Sequence, residues 1–381
     1  MTLDLVSAPH RPQAKTALLQ QVQHSSTALV TEYPLLLSAE LGQQLLQANS
    51  AAIAQAMQPA TLAAVKNLLP QAMLLGNAPE RAHFFAVDFA LCLNDQQQLK
   101  PQLIELQAFP SMLALSFFLE QHYGPCLLDG RSLLQRQQLW QDMLQIDTAS
   151  DSGDTIMLDY QPLAQRSAIS FLLTAQLGVQ VLCISDLYRK GRQLFYRQHG
   201  RERKVQRIYN RLILSALPAD AALQARQLLS EADVSWLGHP DWYYFVSKAS
   251  MLFMQGAWLP PVSLASQATP AQLANHVCKP LFDFAGRGVE LSPTPSYLAS
   301  LPSADYVLQQ KVQYASCVTN PAQQVLKTEI RLLSLWPDNA AHPSTVAMMA
   351  RLSNGPYMGV SQQAGAGGVT VALCPQEALC A

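Results

Sequence analysis

Val277-Cys278-Lys279-Pro280-Leu281-Phe282-Asp283-Phe284-Ala285-Gly286-Arg287-Gly288-Val289 joins a strand-like run bearing a lysine to a glycine-rich turn. Glycines let backbone N–H groups come close to an anion, and a lysine adds a compact positive charge of the kind that holds phosphate oxygens. The pattern suits a polyphosphate such as ATP, with Lys279, Gly286, Arg287 and Gly288 around it. A lysine beside Gly-x-Gly is also the ordinary content of an exposed hairpin, so the rest of the chain has to decide.

Composition narrows the choice. With 381 residues, 49% of them hydrophobic and 13% charged, the chain has a sizeable core to bury and reads as two or three packed units. The formal net charge of -1 gives no overall field for nucleic acid or an anionic membrane. The first residues lack a basic start followed by an apolar run, and no stretch is long enough to span a bilayer, which predicts a cytoplasmic protein with neither membrane nor nucleic-acid partners. The seven cysteines are scattered without a C-x-x-C or a His-rich segment, as reduced structural thiols would be.

Residues from about 13 to 75 carry Ala, Leu and Gln at helical spacing, so residues 1–78 are expected to form a helical N-terminal region. Two strand-like runs follow, His83 to Leu93 and Leu103 to Phe109, separated by a polar stretch that reads as a hairpin turn near Gln96 to Gln98. Antiparallel pairing about that turn sets Asp88 opposite Glu105 or Gln107, with Glu105 and Gln107 sharing one face. Three oxygen-bearing side chains inside an apolar hairpin suit a hard cation such as Mg²⁺, whereas on a half-exposed sheet they would simply face water.

Between residues 151 and 235 the order is a helix from Leu163 to Leu177, a buried strand from Gly178 to Ile184, and short strands around Gly191 and Gly200, a small α/β unit. Nine of the 25 Lys and Arg residues fall between Arg189 and Arg211, among aromatics and opposed only by Glu202. Alternation makes this a solvated hairpin face in the first instance, with polyanion binding as the alternative. A helix start at Ser247-Lys248, a strand through Gln309, Gln310 and Lys311, the strand Lys327-Thr328-Glu329-Ile330-Arg331, then Arg351 and a glycine-rich stretch at Gly365 to Gly368 complete the series.

The order of these pieces resembles the ATP-grasp family, over about residues 80 to 110 and 185 to 375. In that family the acidic metal ligands come last, whereas here the hairpin of Asp88 and Glu105 comes first. The resemblance is therefore to circularly permuted members, such as the synthetase half of glutathionylspermidine synthetase and related bacterial proteins. It implies an α/β (α+β) fold: a permuted ATP-grasp with a small pre-ATP-grasp α/β domain and a helical N-terminal region. Its parts would be residues 1–78 (helical region), 79–130 (metal hairpin and helix), 151–235 (pre-grasp domain, including Arg207 to Arg211), 236–304 (lid) and 305–381 (rest of the core). The chain break would lie between the glycine tail and the hairpin, as neighbours in the fold.

The resemblance further implies an ATP- and Mg²⁺-dependent ligase that joins a carboxylate to an amine, or to a thiol, through an acylphosphate. Lys248 and Lys279 would hold phosphates with the glycine-rich turn, and Gln309, Gln310 and Lys311 would meet adenine. Asp88, Glu105 and Gln107 would hold magnesium, and Arg331, Arg351 and Glu329 would form the catalytic group. Where the family has a metal-binding asparagine this chain has Gln107, which adds a methylene and a rotatable bond. That departure favours the alternative of a nucleotide-binding or regulatory protein that does not ligate. A homodimer is left open.

Overall fold

The computed structural model describes residues 30–31, 33–124, 128–145, 153–165, 167–283, 286–320, 322–355, 358 and 367–374. The expected hairpin is present as β2 (Phe84–Leu93) and β3 (Leu99–Gln107), turned by Asn94, whose Oδ1 accepts from the amides of Gln96 and Gln98 while Gln97 takes a left-handed φ of 58°. Asp88 pairs directly with Glu105, and Gln107 lies opposite Ala86. The ladder is not regular: Phe89 faces Leu103 while Asp88 faces Glu105, which leaves Ile104 as the extra residue of a β-bulge.

On its other side β2 pairs antiparallel with β14 (Val325–Leu335), which is followed outward by β15 (Ser344–Ser353), β16 (Gly367–Leu373) and β1 (Leu35–Leu36). One face of this sheet carries Phe85, Val87, Phe89, Ile330 and Leu332 against the apolar stripe Leu41, Leu45, Ala52 and Ile53 of helix α1 (Ala39–Ala56) and against Val65 of α2 (Pro59–Leu68). Ser38 caps α1 by accepting from the Leu41 amide, and the Ala and Leu spacing read from the sequence is the buried side. Fully burying each such Leu or Ile contributes about 1.5–3 kcal/mol. The opposite face is divided. Its lower half packs Phe84, Ala86, Leu333, Leu335 and Met349 against α3 (Leu113–Tyr123), with α4 (Leu133–Leu144) beyond, while its upper half bears charges.

A second sheet has β4 (Asp154–Asp159), β5 (Gln180–Cys183), β8 (Arg201–Asn210) and β9 (Ser235–Leu237) running parallel, with β6 (Tyr188–Lys190) and β7 (Gln193–Gln198) added antiparallel beyond β8. Helices α5 (Ala168–Ala175) and α6 (Ala219–Leu229) accompany it. The third sheet is small, with β10 (Val262–Leu264) and β11 (His276–Pro280) flanking β12 (Tyr306–Gln310), and its first two strands fall in the segment 236–304 expected as a lid. No helix among the described residues is long and apolar enough to cross a membrane.

The structure corrects several expectations. Residues 1–29 and the glycines before Gly367 lie outside the described residues, and the N-terminal region is not purely helical, because Leu35 and Leu36 form a parallel strand on β16. Helix α5 begins only at Ala168, after a separate 3-10 turn at Pro162–Ala164, since Pro162 suits a first turn and the chain must bend between the two. The strand expected as buried, β5, is a half-buried edge strand. The helix expected at Ser247 is a 3-10 turn over Lys248–Phe253. Finally, β16 and the hairpin share a sheet but are separated by β15 and β14, so the glycine tail is not the hairpin's neighbour.

Candidate functional site

Strand register gathers the charges. Glu329 lies opposite Arg351 across β14 and β15, and Arg331 lies opposite Asp88 across β14 and β2, so four charged side chains share one face with Glu105. Arg331 donates from Nε and Nη2 to the two oxygens of Asp88 at 2.7 and 2.6 Å, and from Nη1 to Ser111 Oγ at 2.5 Å. Arg351 Nη2 bridges Asp88 and Glu329, and Tyr314 donates to the remaining oxygen of Glu329 at 3.0 Å. Asp88 and Glu329 are both buried. Burial alone would raise the Asp88 carboxyl, but the guanidiniums of Arg331 and Arg351 outweigh it and hold Asp88 well below the usual carboxylate range.

Against this face stand the two lysines singled out by the sequence. Lys248 Nζ donates to Glu105 Oε1 at 2.8 Å and to the carbonyl of Asp283 in the lid. Lys279, on β11, donates to the Ile104 carbonyl at 3.0 Å and to the side chain of Gln309 on β12. The bulge explains the first of these, because Ile104 is the residue left out of the ladder. Burial pushes Lys279 down to about 8, with Lys248 adding to the effect and Glu105 and Asp88 opposing it. The turn beyond β11 uses its glycines as expected, with φ of 73° at Gly286 and 64° at Gly288, and a Cβ on Gly288 would stand 2.7 Å from Pro280 Cγ.

The expected site residues thus separate into two groups. Asp88, Glu105, Lys248, Lys279, Gln309, Glu329, Arg331 and Arg351 are brought together, whereas Gln310 is exposed and Lys311 holds the Ala274 carbonyl at the far end of the lid. Gln309 and Gln310 part because neighbours on a strand face opposite ways. Gln107 is half-buried, two residues beyond Glu105 on the same face.

The chain's own cations occupy the candidate metal ligands. Both oxygens of Asp88 accept from guanidiniums and Glu105 accepts from Lys248, and among the described residues no cluster of three or more His, Cys, Asp or Glu has the arrangement of a metal site. The donor types, two carboxylates and an amide oxygen, suit Mg²⁺, provided the paired cations are drawn off by another anion.

Ser111 escaped the sequence reading, and Arg211 was read only as the end of the basic stretch that begins at Arg189. Arg211 follows the carboxyl end of β8, lies between the rings of Phe109 and Phe171 at 5.0 and 5.1 Å, and donates from Nη1 to the carbonyls of Pro110 and Ser111 at 2.6 and 2.9 Å. Its Nε is buried without a hydrogen-bond partner. Asp159, at the end of the neighbouring strand β4, is pushed up to about 6 by burial, with Arg211 opposing. In open α/β sheets ligands sit at such strand ends, which was the available signal.

The basic hairpin, by contrast, is largely committed. Arg203 pairs with Asp154 and Lys190 with Glu202 at 2.5 Å, Arg189 stands 3.9 Å from Glu231, and Arg207 and Arg211 bond carbonyls inside the protein.

No protein-family model matches this chain, and no curated protein matches it. Among solved structures it is similar to the apo form of a glutathione synthetase-like effector from Globodera pallida, with a TM-score of 0.56 at 11% identity over 95% of this chain and 96% of that one. Likeness at that identity speaks to the fold: a mixed α/β architecture of the glutathione synthetase-like ATP-grasp type.

Proposed function

We propose that this chain binds ATP between the small β10–β12 sheet and the hairpin, and uses it to activate a carboxylate that is then joined to an amine or a thiol. The observation that carries this reading is the pairing of cations with carboxylates in one buried cluster: Lys248 with Glu105, and Arg331 and Arg351 with Asp88. With Glu329 also paired to Arg351, these three cations meet three carboxylates, and a phosphate chain accompanied by a divalent cation fits the cluster by exchange of partners. The lysines and arginines pass to phosphate oxygens, and Asp88, Glu105 and Gln107 become available to the metal. Magnesium bound there would supply charge neutralisation on the phosphates.

The acid is assigned to the region around Ser111, where Arg331 and Arg211 converge at the start of α3. Two guanidiniums and a helix N-terminus favour an anion there, and a planar donor suits a carboxylate. Arg331, shared between Asp88 and Ser111, would stand between the acid and the phosphate being transferred.

A second reading, nucleotide binding without ligation, is favoured by Gln107 and by the complete use of both Asp88 oxygens. Isothermal calorimetry with a non-hydrolysable ATP analogue, with and without Mg²⁺, separates the two. Magnesium-dependent binding, followed by ADP release with some acid and amine pair, supports the ligase. Binding indifferent to magnesium supports the second reading, and absence of binding overturns both.

A further inference from the structure

Helix α2 presents two faces. Thr61 and Val65 are buried in the core, whereas Pro59, Leu62, Ala63 and Lys66, spaced i, i+3, i+4 and i+7, line a surface hollow of about 480 Å³. Met57 at the end of α1, Arg81 just ahead of β2 and Trp336 just after β14 supply most of the remaining wall. The volume is that of a small-molecule site. Its two cations, Lys66 and Arg81, have no carboxylate partner among the described residues. Arg81 lies over the Trp336 ring at 5.0 Å, and its Nη1 donates to the Ala340 carbonyl at 2.9 Å and reaches the Pro337 carbonyl at 3.5 Å. Trp336 Nε1 donates to the same Ala340 carbonyl at 3.0 Å, so ring and guanidinium are held together while the other donors of Arg81 stay open to a planar acceptor. Lys66 stands over the Phe245 ring at 4.4 Å. Glu80 at the exposed rim is the single carboxylate of the lining, so two cations against one anion leave one positive charge in excess.

We propose that this hollow is a second binding site, for a small organic monoanion with an apolar body, an aliphatic carboxylate. Its carboxylate meets the open edge of Arg81, with Lys66 as the second charge, and its chain lies on Met57, Leu62, Ala63 and the Trp336 ring. A single negative charge answers the excess of the lining, whereas a dianion would face Glu80 and an alcohol or amine would leave both cations unanswered. None of these residues belongs to the charged cluster of Asp88, Glu105 and Glu329, so the site is independent of the assignment of ATP.

Ligand-observed NMR on the full chain, with butanoate, hexanoate and octanoate as probes, tests the site. Affinity should climb along the series by up to about fourfold per methylene, as burial of a CH₂ gives, and hexanol and hexylamine should fail to compete. Arg81→Gln should weaken hexanoate by at least about tenfold, since it removes a charge-assisted bond, and unchanged affinity overturns the proposal. Arg81 also holds the Ala340 carbonyl, so a second variant decides the matter if the first folds poorly. Ala63→Trp, at an exposed position of α2, fills the hollow and should abolish octanoate binding at an unaltered melting temperature. Octanoate bound by that variant with wild-type affinity places the acid elsewhere, such as beside Ser111, and overturns the site. Hexanol bound as tightly as hexanoate, or no octanoate binding up to about 10 mM, overturns it as well.

Discussion

Arg331 and Asp88 face each other across β14 and β2, and the guanidinium takes both carboxylate oxygens, Nε to Oδ1 at 2.7 Å and Nη2 to Oδ2 at 2.6 Å. Because Arg351 shares the same carboxylate, Asp88 is the counter-charge that lets two arginines stand together in a buried place. Asp88→Asn should therefore destabilise the protein at neutral pH by about 3–5 kcal/mol, as removing one partner of a buried pair does. The folded-state pKa of Asp88 is depressed, so its contribution is present above the ordinary carboxylate range near pH 4 and is lost as pH falls below it. Urea denaturation at pH 7, 4 and 3 should show wild type and variant converging in acid, and a constant gap would contradict the clamp.

Lys279 gives the opposite pH signature at the alkaline end. Its folded pKa of about 8 lies below the ordinary lysine value near 10.4, so folding disfavours its charged form. Stability should rise with pH between those two values, by on the order of 1.4 kcal/mol per unit at most, and Lys279→Met should remove that rise. ATP held by Lys279 would restore the charge and take up a proton on binding. Above pH 8 the affinity should then fall by up to about tenfold per unit. Calorimetry in buffers of different ionisation enthalpy measures the proton directly, and no uptake at pH 9 would remove Lys279 from the phosphates.

Glu105→Gln separates metal from nucleotide. Lys248 keeps the Asp283 carbonyl, so the lid retains an anchor and nucleotide affinity should stay within severalfold of wild type. The enhancement by Mg²⁺ should vanish, because a neutral amide is a poor substitute for a carboxylate on a hard cation. Retained magnesium dependence would place the metal elsewhere.

Arg211 should not tolerate lysine. A single ammonium cannot keep both the Pro110 and Ser111 carbonyls and the stacking between Phe109 and Phe171, so Arg211→Lys should lower stability by about 2–4 kcal/mol. If Arg211 also meets the acid, KM for that substrate should rise more than for ATP. A variant with wild-type melting temperature and unchanged kinetics would reduce it to an inert buried residue.

Some of this was readable from the chain alone, and the reasons are local. The pairing of Asp88 with Glu105 followed from a polar turn and a period of two, and the positive φ at Gly286 and Gly288 followed from the residue type. The clamp of Arg331 and Arg351 on Asp88 did not, because it depends on β14 joining β2 across more than two hundred residues of chain, which no local pattern reports. A lysine beside Gly-x-Gly is ordinary in an exposed hairpin, but Lys279 is buried against a carbonyl that only the bulge makes available. The burial of Glu329 between Arg351 and Tyr314 is again a product of strand order.

The bulge has a wider effect on β3 than its one displaced carbonyl. Leu103 and Leu106 are both fully buried in the same core, although residues three apart on a regular strand point to opposite faces. The extra residue changes the parity of the strand, so Leu106 returns to the core side while Glu105 and Gln107 come to lie beside Asp88. Deleting Ile104 would leave Leu103 opposite Phe89 and Glu105 opposite Asp88 in a regular ladder, keeping the apolar and the charged faces and removing only the carbonyl that Lys279 takes.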